Sequence, residues 1–361
     1  MLLSLQERDW SAVAALIERS IDLEDTARTS GALTRKRQVR SASDLLRLAL
    51  AYGPGGQSLR QTAAWAELQE VASLSDVALL YRFQASADWL ARIAGALLAR
   101  REASASSSTL GLRLRIVDAS VISAAGNGPR WRLHSVYDVA EERFSALELT
   151  STRKPEALEW TGVGPGDLVM GDRVYARPGG LHHVAAAGGE YLVRVGRKSL
   201  RLGHADGRPL NLTEVLDISD QDGSVDCDVV ILNGRGQNRT PLPARLVVIP
   251  KPHEVIDQAR KHALRQSQRG GHENDPLSLR ASEHLLLITS LDRQRADPHQ
   301  LAALYRLRWR IELAFKRLKS LLSIDRLPAK NDGLARTWLL THLIAALLIE
   351  DLNPELRDSP P

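Results

Sequence analysis

Apolar residues recur at three- and four-residue spacing through most of the first hundred positions, in DWSAVAALIERSI, SASDLLRLALAYG, SLRQTAAWAELQEV and SLSDVALLYRFQASADWLARIAGALLAR. That periodicity predicts amphipathic helices. Ser43, Ser58 and Ser75 stand where helix caps belong, and the GPGG at 53–56 breaks the run. Residues 1–108 are therefore expected to form a small all-α domain. Two of its helices, near 61–70 and 75–84, are joined by a turn short enough for a helix-turn-helix, although a plain packing pair has the same pattern. The run TRKRQVR at 34–40 suits a solvated linker at least as well as a phosphate clamp.

After a Ser-rich boundary at 103–109 the period changes to two. LGLRLRIVD places Leu110, Leu112, Leu114, Ile116 and Asp118 on one face of a strand, with Asp118 at its end. RWRLHSVYDVA and RFSALELTS follow as strands, PEALEW as a helical crossover, and GDLVMGD as a fourth strand ending in Asp172. This is the pattern of a mixed α/β core, whose first part spans 109–172. From 173 to 282 short strands (EYLVRVGR, VDCDVVILN, PARLVVIP) are broken by Gly and Pro loops and followed by a basic helix near 254–269, the texture of a β-rich insertion. A last strand, EHLLLITSL, leads at 283–361 into a long helix, YRLRWRIELAFKRLK, and C-terminal helices.

Composition narrows the class. One cysteine, Cys227, excludes an internal disulfide and a four-cysteine zinc site, and fits a reducing cytoplasmic setting. Glu7, Arg8 and Asp9 interrupt the stretch that a secretory signal would need, and WLLTHLIAALLI at 338–349 is about half a membrane span and contains His342, so a buried helix and no membrane partner are expected. The net charge is +5, but residues 229–319 hold 17 Arg and Lys against 8 Asp and Glu, a local +9. The C-terminal half is the better candidate for a polyanion surface.

Within the long helix Glu312 stands among six Arg and Lys residues. Arg308, Glu312 and Lys316 have the spacing of ordinary i,i+4 ion pairs, each worth a few tenths of a kcal/mol. Joined by Asp118 and Asp172 at strand ends, however, Glu312 would complete a set of three carboxylates suited to one or two hard divalent cations. The remaining signals are weak. GVGPGD at 162–167 lacks the Lys-Ser/Thr of a P-loop and reads as a turn, so no nucleotide cofactor is implied. The adjacent His182 and His183 would point apart on a strand, and His134 with Asp138 suggests only a local pair.

Tyr305, Arg308, Glu312 and Lys319 together resemble the YREK signature of bacterial insertion-sequence DDE transposases of the insertion sequence four family. IVDAS and VMGDRVYA are similar to that family's regions around its first and second catalytic Asp, with mild departures at Ser120 and Val174. The resemblance implies a ribonuclease-H-like core in which Asp118, Asp172 and Glu312 hold Mg²⁺, with Mn²⁺ as a substitute. It implies DNA contacts through Tyr305, Arg308, Trp309, Lys316 and Lys319, and a homodimer assembled on transposon-end and target DNA among the nucleoid. No Trp lies between Asp172 and the signature, which speaks against a base-holding hairpin step. The function so implied is cleavage at terminal inverted repeats and transfer of the 3′-hydroxyl ends. A ribonuclease-H-like nuclease without strand transfer, or a catalytically silent DNA-binding regulator, would share parts of the pattern.

Overall fold

The computed structural model describes residues 7–102, 110–123, 130–141, 143–232, 240–269, 275–309, 311–313, 327 and 331–352. Five helices open the chain: α1 (Glu7–Glu18), α2 (Leu23–Thr29), α3 (Ala42–Tyr52), α4 (Leu59–Leu68) and α5 (Asp76–Glu102). Ser58 and Ser41 close capping boxes at α4 and α3. Ser43 is not a cap: it lies inside α3 and accepts a hydrogen bond from Trp10 Nε1 at 2.9 Å. The basic run at 34–40 is anchored by a fully buried Val39 and by a 2.9 Å Lys36–Glu24 ion pair.

The strands β1 (Arg113–Ser123), β2 (Arg130–Asp138), β3 (Arg143–Ser151), β4 (Asp167–Gly171), β5 (Glu190–Arg194), β6 (Leu202–Gly203), β7 (Val225–Ile231), β8 (Leu242–Pro250) and β9 (His284–Thr289) form one mixed sheet. Its order is β3-β2-β1-β4-β5-β9-β8-β7-β6. β1, β2 and β3 are an antiparallel meander; β4 and β5 run parallel to β1; β9, β8, β7 and β6 continue antiparallel. The strand-rich segment expected as an insertion thus extends the same sheet through β6, β7 and β8. No helix forms at PEALEW, which is loop and turn, and His182 and His183 lie on a helix, α6 (Pro178–Ala186), rather than on a strand.

The period-two alternation divides two cores. Leu114, Ile116, Leu168, Met170, Leu192, Val247 and Leu287 face one hydrophobic cluster, and their neighbours Val117, Val169, Val193, Leu246, Val248, Leu286 and Ile288 face the other. The second is covered by α6, α7 (Leu212–Asp222) and α9 (Pro276–Ser282) through residues such as Leu181, Leu216 and Ala281. The first is covered by α1 to α5, by α10 (Pro298–Arg306) and by α11 (Asp332–Leu352).

The N-terminal helices accordingly share their core with the sheet and with α11, and do not enclose a separate one. Helix α5 lies along α11, held by the Thr337 hydroxyl donating to the Phe83 carbonyl at 2.6 Å and by Arg336–Asp88 and Arg100–Asp351 ion pairs of 2.8 and 2.7 Å. An 18-residue window of α11 is apolar enough to cross a membrane by length and composition, but 78% of it is buried inside the protein.

Candidate active site

The parallel register of β1 and β4 positions the first two carboxylates. Arg113 pairs with Asp167 and Ile116 with Met170, an offset of 167 − 113 = 54, and the same offset carries Asp118 across to Asp172. Neighbouring strands are about 4.8 Å apart, so the two residues emerge side by side. Asp118 is not at a strand end as its pattern suggested: β1 continues to Ser123, paired only with β2 beyond this point. What ends there is β4, whose last residue, Gly171, has no room for a side chain because a Cβ would stand 3.0 Å from Tyr175 and 3.1 Å from Val117. The chain turns sharply after it, and the Asp172 carboxylate accepts the Val174 N–H at 2.8 Å.

Burial pushes the Asp118 carboxyl up to about 6; the Ala119 N–H and the Arg308 guanidinium oppose the rise, and the charges of Asp172 and Glu156 add to it. Glu156 is a fourth carboxylate of this neighbourhood. Its own pKa is raised by burial and by Asp172, against the pull of Arg132, whose Nε lies 3.4 Å away. Tyr175 closes the base of the group. Only 1% exposed, its hydroxyl has no hydrogen-bond partner among the described residues, and burial with the charges of Asp118, Glu156 and Asp172 holds the phenol firmly protonated. Sequence reasoning missed both: Glu156 sits in an irregular loop, and Tyr175 looks like any core aromatic.

Glu312 stands apart from this group. Helix α10 ends at Arg306, residues 307 and 308 form a turn, and helical residues follow at Trp309 and across 311–313. The expected long helix is therefore interrupted by this turn inside the signature, while the expected i,i+4 pair of Arg308 and Glu312 forms. Arg308, in this turn, lies within electrostatic reach of Asp118, Asp172 and Glu312. It binds Glu312 Oε1 at 2.6 Å, and although its own burial works against the charge, Tyr305, Glu312, Asp118 and Asp172 together raise its pKa. Tyr305 is 9% exposed and its phenol is pushed up to about 12 by burial, which makes it an interior residue rather than a surface donor. Trp309 is 53% exposed. Lys316 and Lys319 lie outside the described residues.

The donors at this site are all carboxylate and phenol oxygens, the chemistry of a hard divalent cation. Asp118 and Asp172 fit such an ion by position. Held by Arg308, Glu312 does not complete the set, and among the described residues no three His, Cys, Asp or Glu side chains stand close enough together to hold a metal. The weaker sequence signals resolve as structure. GVGPGD is a turn that delivers Asp167 to the partly buried Arg113 and the buried Arg115 at 2.8 and 3.1 Å. His134 binds the Thr150 hydroxyl at 2.9 Å, while Asp138 accepts the Ala140 and Glu141 N–H groups, so they are not a pair.

Residues 109–348 match the Transposase DDE domain family. The chain is 42% identical over 98% of its length, and 96% of theirs, to transposase InsL of insertion sequence element IS186A from Escherichia coli strain K12 and to the transposase of insertion sequence element IS421 from Escherichia coli. A piggyBac transposase synaptic complex with hairpin DNA, solved by cryo-EM, aligns with 99% of this chain and 75% of its own at 11% identity and a TM-score of 0.43, too remote to bear on mechanism.

Proposed function

The chain belongs to the Transposase DDE domain family and is a DNA transposase, and on that premise we propose that Asp118, Asp172 and Glu312 form its catalytic triad on a ribonuclease-H-like core. The observation that carries this reading is the register that sets Asp118 beside Asp172, on the sheet face that α10 and Ile311 cover. The strand order β3-β2-β1-β4-β5, with β4 and β5 parallel to β1, supports the choice of core.

The family implies a divalent metal ion, which we assign as Mg²⁺ with Mn²⁺ able to replace it; such ions activate the attacking oxygen and neutralise charge at the scissile phosphate. The chain's own residues prepare the site. Asp118 loses its proton, Glu312 leaves Arg308 and turns toward the two Asp residues, and the Arg308 guanidinium takes a DNA phosphate bidentately in place of the carboxylate. Exposed Trp309 together with Lys316 and Lys319 extends the DNA contact, and Tyr305 positions Arg308 from beneath. In strand transfer the 3′-hydroxyl loses its proton as its oxygen bonds to a target phosphorus, and the displaced target 3′-oxygen leaves with a proton from water. The working form is a homodimer on paired transposon ends, acting on cytoplasmic nucleoid DNA.

The test is Mg²⁺-dependent nicking of a terminal-repeat duplex by the wild type and by Asp118→Ala, Asp172→Ala and Glu312→Ala. The wild type cuts and each variant fails; normal cutting by all three would dismiss the triad. A pre-cut end with a free 3′-hydroxyl should yield joined products with target DNA, which a simple nuclease would not form.

A further inference from the structure

Glu156 reaches the carboxylate centre from a loop outside the regular elements, yet that loop is anchored on both sides of it. Before Glu156, the Arg132 guanidinium on β2 donates to the Thr152 carbonyl at 3.3 Å and to the Lys154 carbonyl. After it, Leu158 is fully buried against α6, where a Cβ at Gly180 would stand 3.0 Å from Leu158 Cβ, and its carbonyl accepts the Thr161 hydroxyl at 2.6 Å. Between these anchors the Glu156 side chain is 21% exposed. Arg132 Nε, 3.4 Å away, balances the charge without donating a hydrogen bond, so the Glu156 carboxylate accepts none from the described residues.

Tyr175 supplies an independent observation. Its Cβ and Cγ close over Gly171, and its backbone N–H donates to the Asp172 carbonyl at 3.1 Å, which ties the phenol to the turn carrying that carboxylate. The hydroxyl is buried without a partner among the described residues, within reach of the charges of Asp118, Glu156 and Asp172. A position that needed only bulk would be served by Phe, because an unpaired buried hydroxyl is a cost to the fold. Beside three carboxylates such a donor is suited to fix one oxygen of a carboxylate whose other oxygen holds a cation.

Resting on the assignment of Asp118 and Asp172 above, we infer that Glu156 and Tyr175 are positioning residues for the divalent cation of that pair. Glu156 accepts hydrogen bonds from the cation's water ligands, and the Tyr175 hydroxyl donates to a carboxylate oxygen of Asp118 or Asp172 that the cation leaves free. Among the described residues no three His, Cys, Asp or Glu side chains converge closely enough to ligate one ion directly, so the contribution of Glu156 runs through water.

The test is Mn²⁺ binding to the whole chain without DNA, followed by electron paramagnetic resonance, with the metal-free melting temperature measured alongside. Glu156→Gln keeps the shape and removes the charge; it should weaken Mn²⁺ binding roughly tenfold, and Tyr175→Phe, which removes only the hydroxyl, by a similar factor. Without metal, Tyr175→Phe should melt no lower than wild type, because the free protein makes no use of the hydroxyl. A merely structural role would give the reverse, a lower melting temperature with unchanged Mn²⁺ affinity. Glu67→Gln, at an exposed position on α4, removes an equal charge elsewhere and should bind Mn²⁺ like wild type. Wild-type affinity in Glu156→Gln or in Tyr175→Phe, a lower metal-free melting temperature in Tyr175→Phe, or an equal loss in Glu67→Gln would overturn the inference. Asp118→Ala and Asp172→Ala separate it from the assignment on which it rests. If these two lose Mn²⁺ while Glu156→Gln and Tyr175→Phe keep it, only the roles of Glu156 and Tyr175 fall; if they bind Mn²⁺ as wild type does, the triad falls as well.

Discussion

The carboxylate centre and a basic cleft of about 1100 Å³, between the ends of β5 and β8 and the helix α8 (His253–Arg269), meet at Arg308 and Arg194, and they are opposite solutions to the same electrostatic problem. On one side Asp118, Glu156 and Asp172 crowd together, and burial with mutual repulsion lifts the Asp118 carboxyl to about 6. On the other Arg173, Arg194 and Lys251 crowd together, and the same two causes depress Lys251 to about 8. Arg308, lying between, is claimed by the acidic side through Glu312 at 2.6 Å. Burial works against the charged form in both regions, and each carries the sign of charge opposite to the other's. A metal cation would relieve the acidic side. Sites built for charged ligands commonly carry such a cost in the free protein.

The sharpest way to break this comparison is Asp118→Asn. Nicking should fall by about a thousandfold or more, about 4 kcal/mol in the barrier, while the metal-free protein becomes more heat-stable because a desolvated charge has gone. A variant less stable than wild type would mean that Asp118 is held by interactions other than those described.

Arg308→Gln probes the boundary. With its partner removed, Glu312 is free to join Asp118 and Asp172, and the acidic side loses its nearest cation. Mn²⁺ binding without DNA, followed by electron paramagnetic resonance, should tighten about tenfold, or 1.4 kcal/mol, even as DNA binding weakens. Unchanged Mn²⁺ affinity would show that Glu312 is not restrained by the pair.

A smaller effect is expected on the basic side. Lys251→Gln should raise the melting temperature by about 2 °C at neutral pH. A lower melting temperature would identify the Lys251 hydrogen bond to Ser282 as the dominant contribution.

The smallest and most specific signature is in pH. The Asp118 carboxyl is raised in the fold, so its contribution to metal-free stability is lost as pH climbs from 3.8 to about 6. Lys251 is depressed, so its penalty is fully present below about 8 and disappears as pH rises toward 10.5. The melting-temperature difference between wild type and Asp118→Asn should therefore vary only across the first window, and that for Lys251→Gln only across the second. A flat difference in either would contradict the corresponding burial.

Much of the architecture was legible because local periodicity reports directly on burial. The helices of the first hundred residues, the strands around Asp118 and the strand before Asp172 follow from it. The spacing of Tyr305, Arg308 and Glu312 pointed to the family that the relatives at 42% identity bear out. Other features were not legible because they depend on partners distant in sequence. The turn at 307–308 interrupts a helix that the pattern draws as continuous. Glu156 belongs to the site through Arg132 and Asp172, neither of which is its sequence neighbour. The interior position of Tyr305 follows from the shared core of sheet and helices.

Sequence alone determined most of the helical and strand segments, the excess of positive charge after residue 229 and the three carboxylates Asp118, Asp172 and Glu312 as candidates, since each is a property of residues close along the chain. Tertiary structure decided which charges meet. The 54-residue offset between β1 and β4 placed Asp118 beside Asp172, the fold brought Arg308 and Glu156 into the same neighbourhood, and the ends of β5 and β8 brought Arg194 and Lys251 to one cleft. The interactions that set those charges act over a few ångströms of space, whatever the distance along the chain.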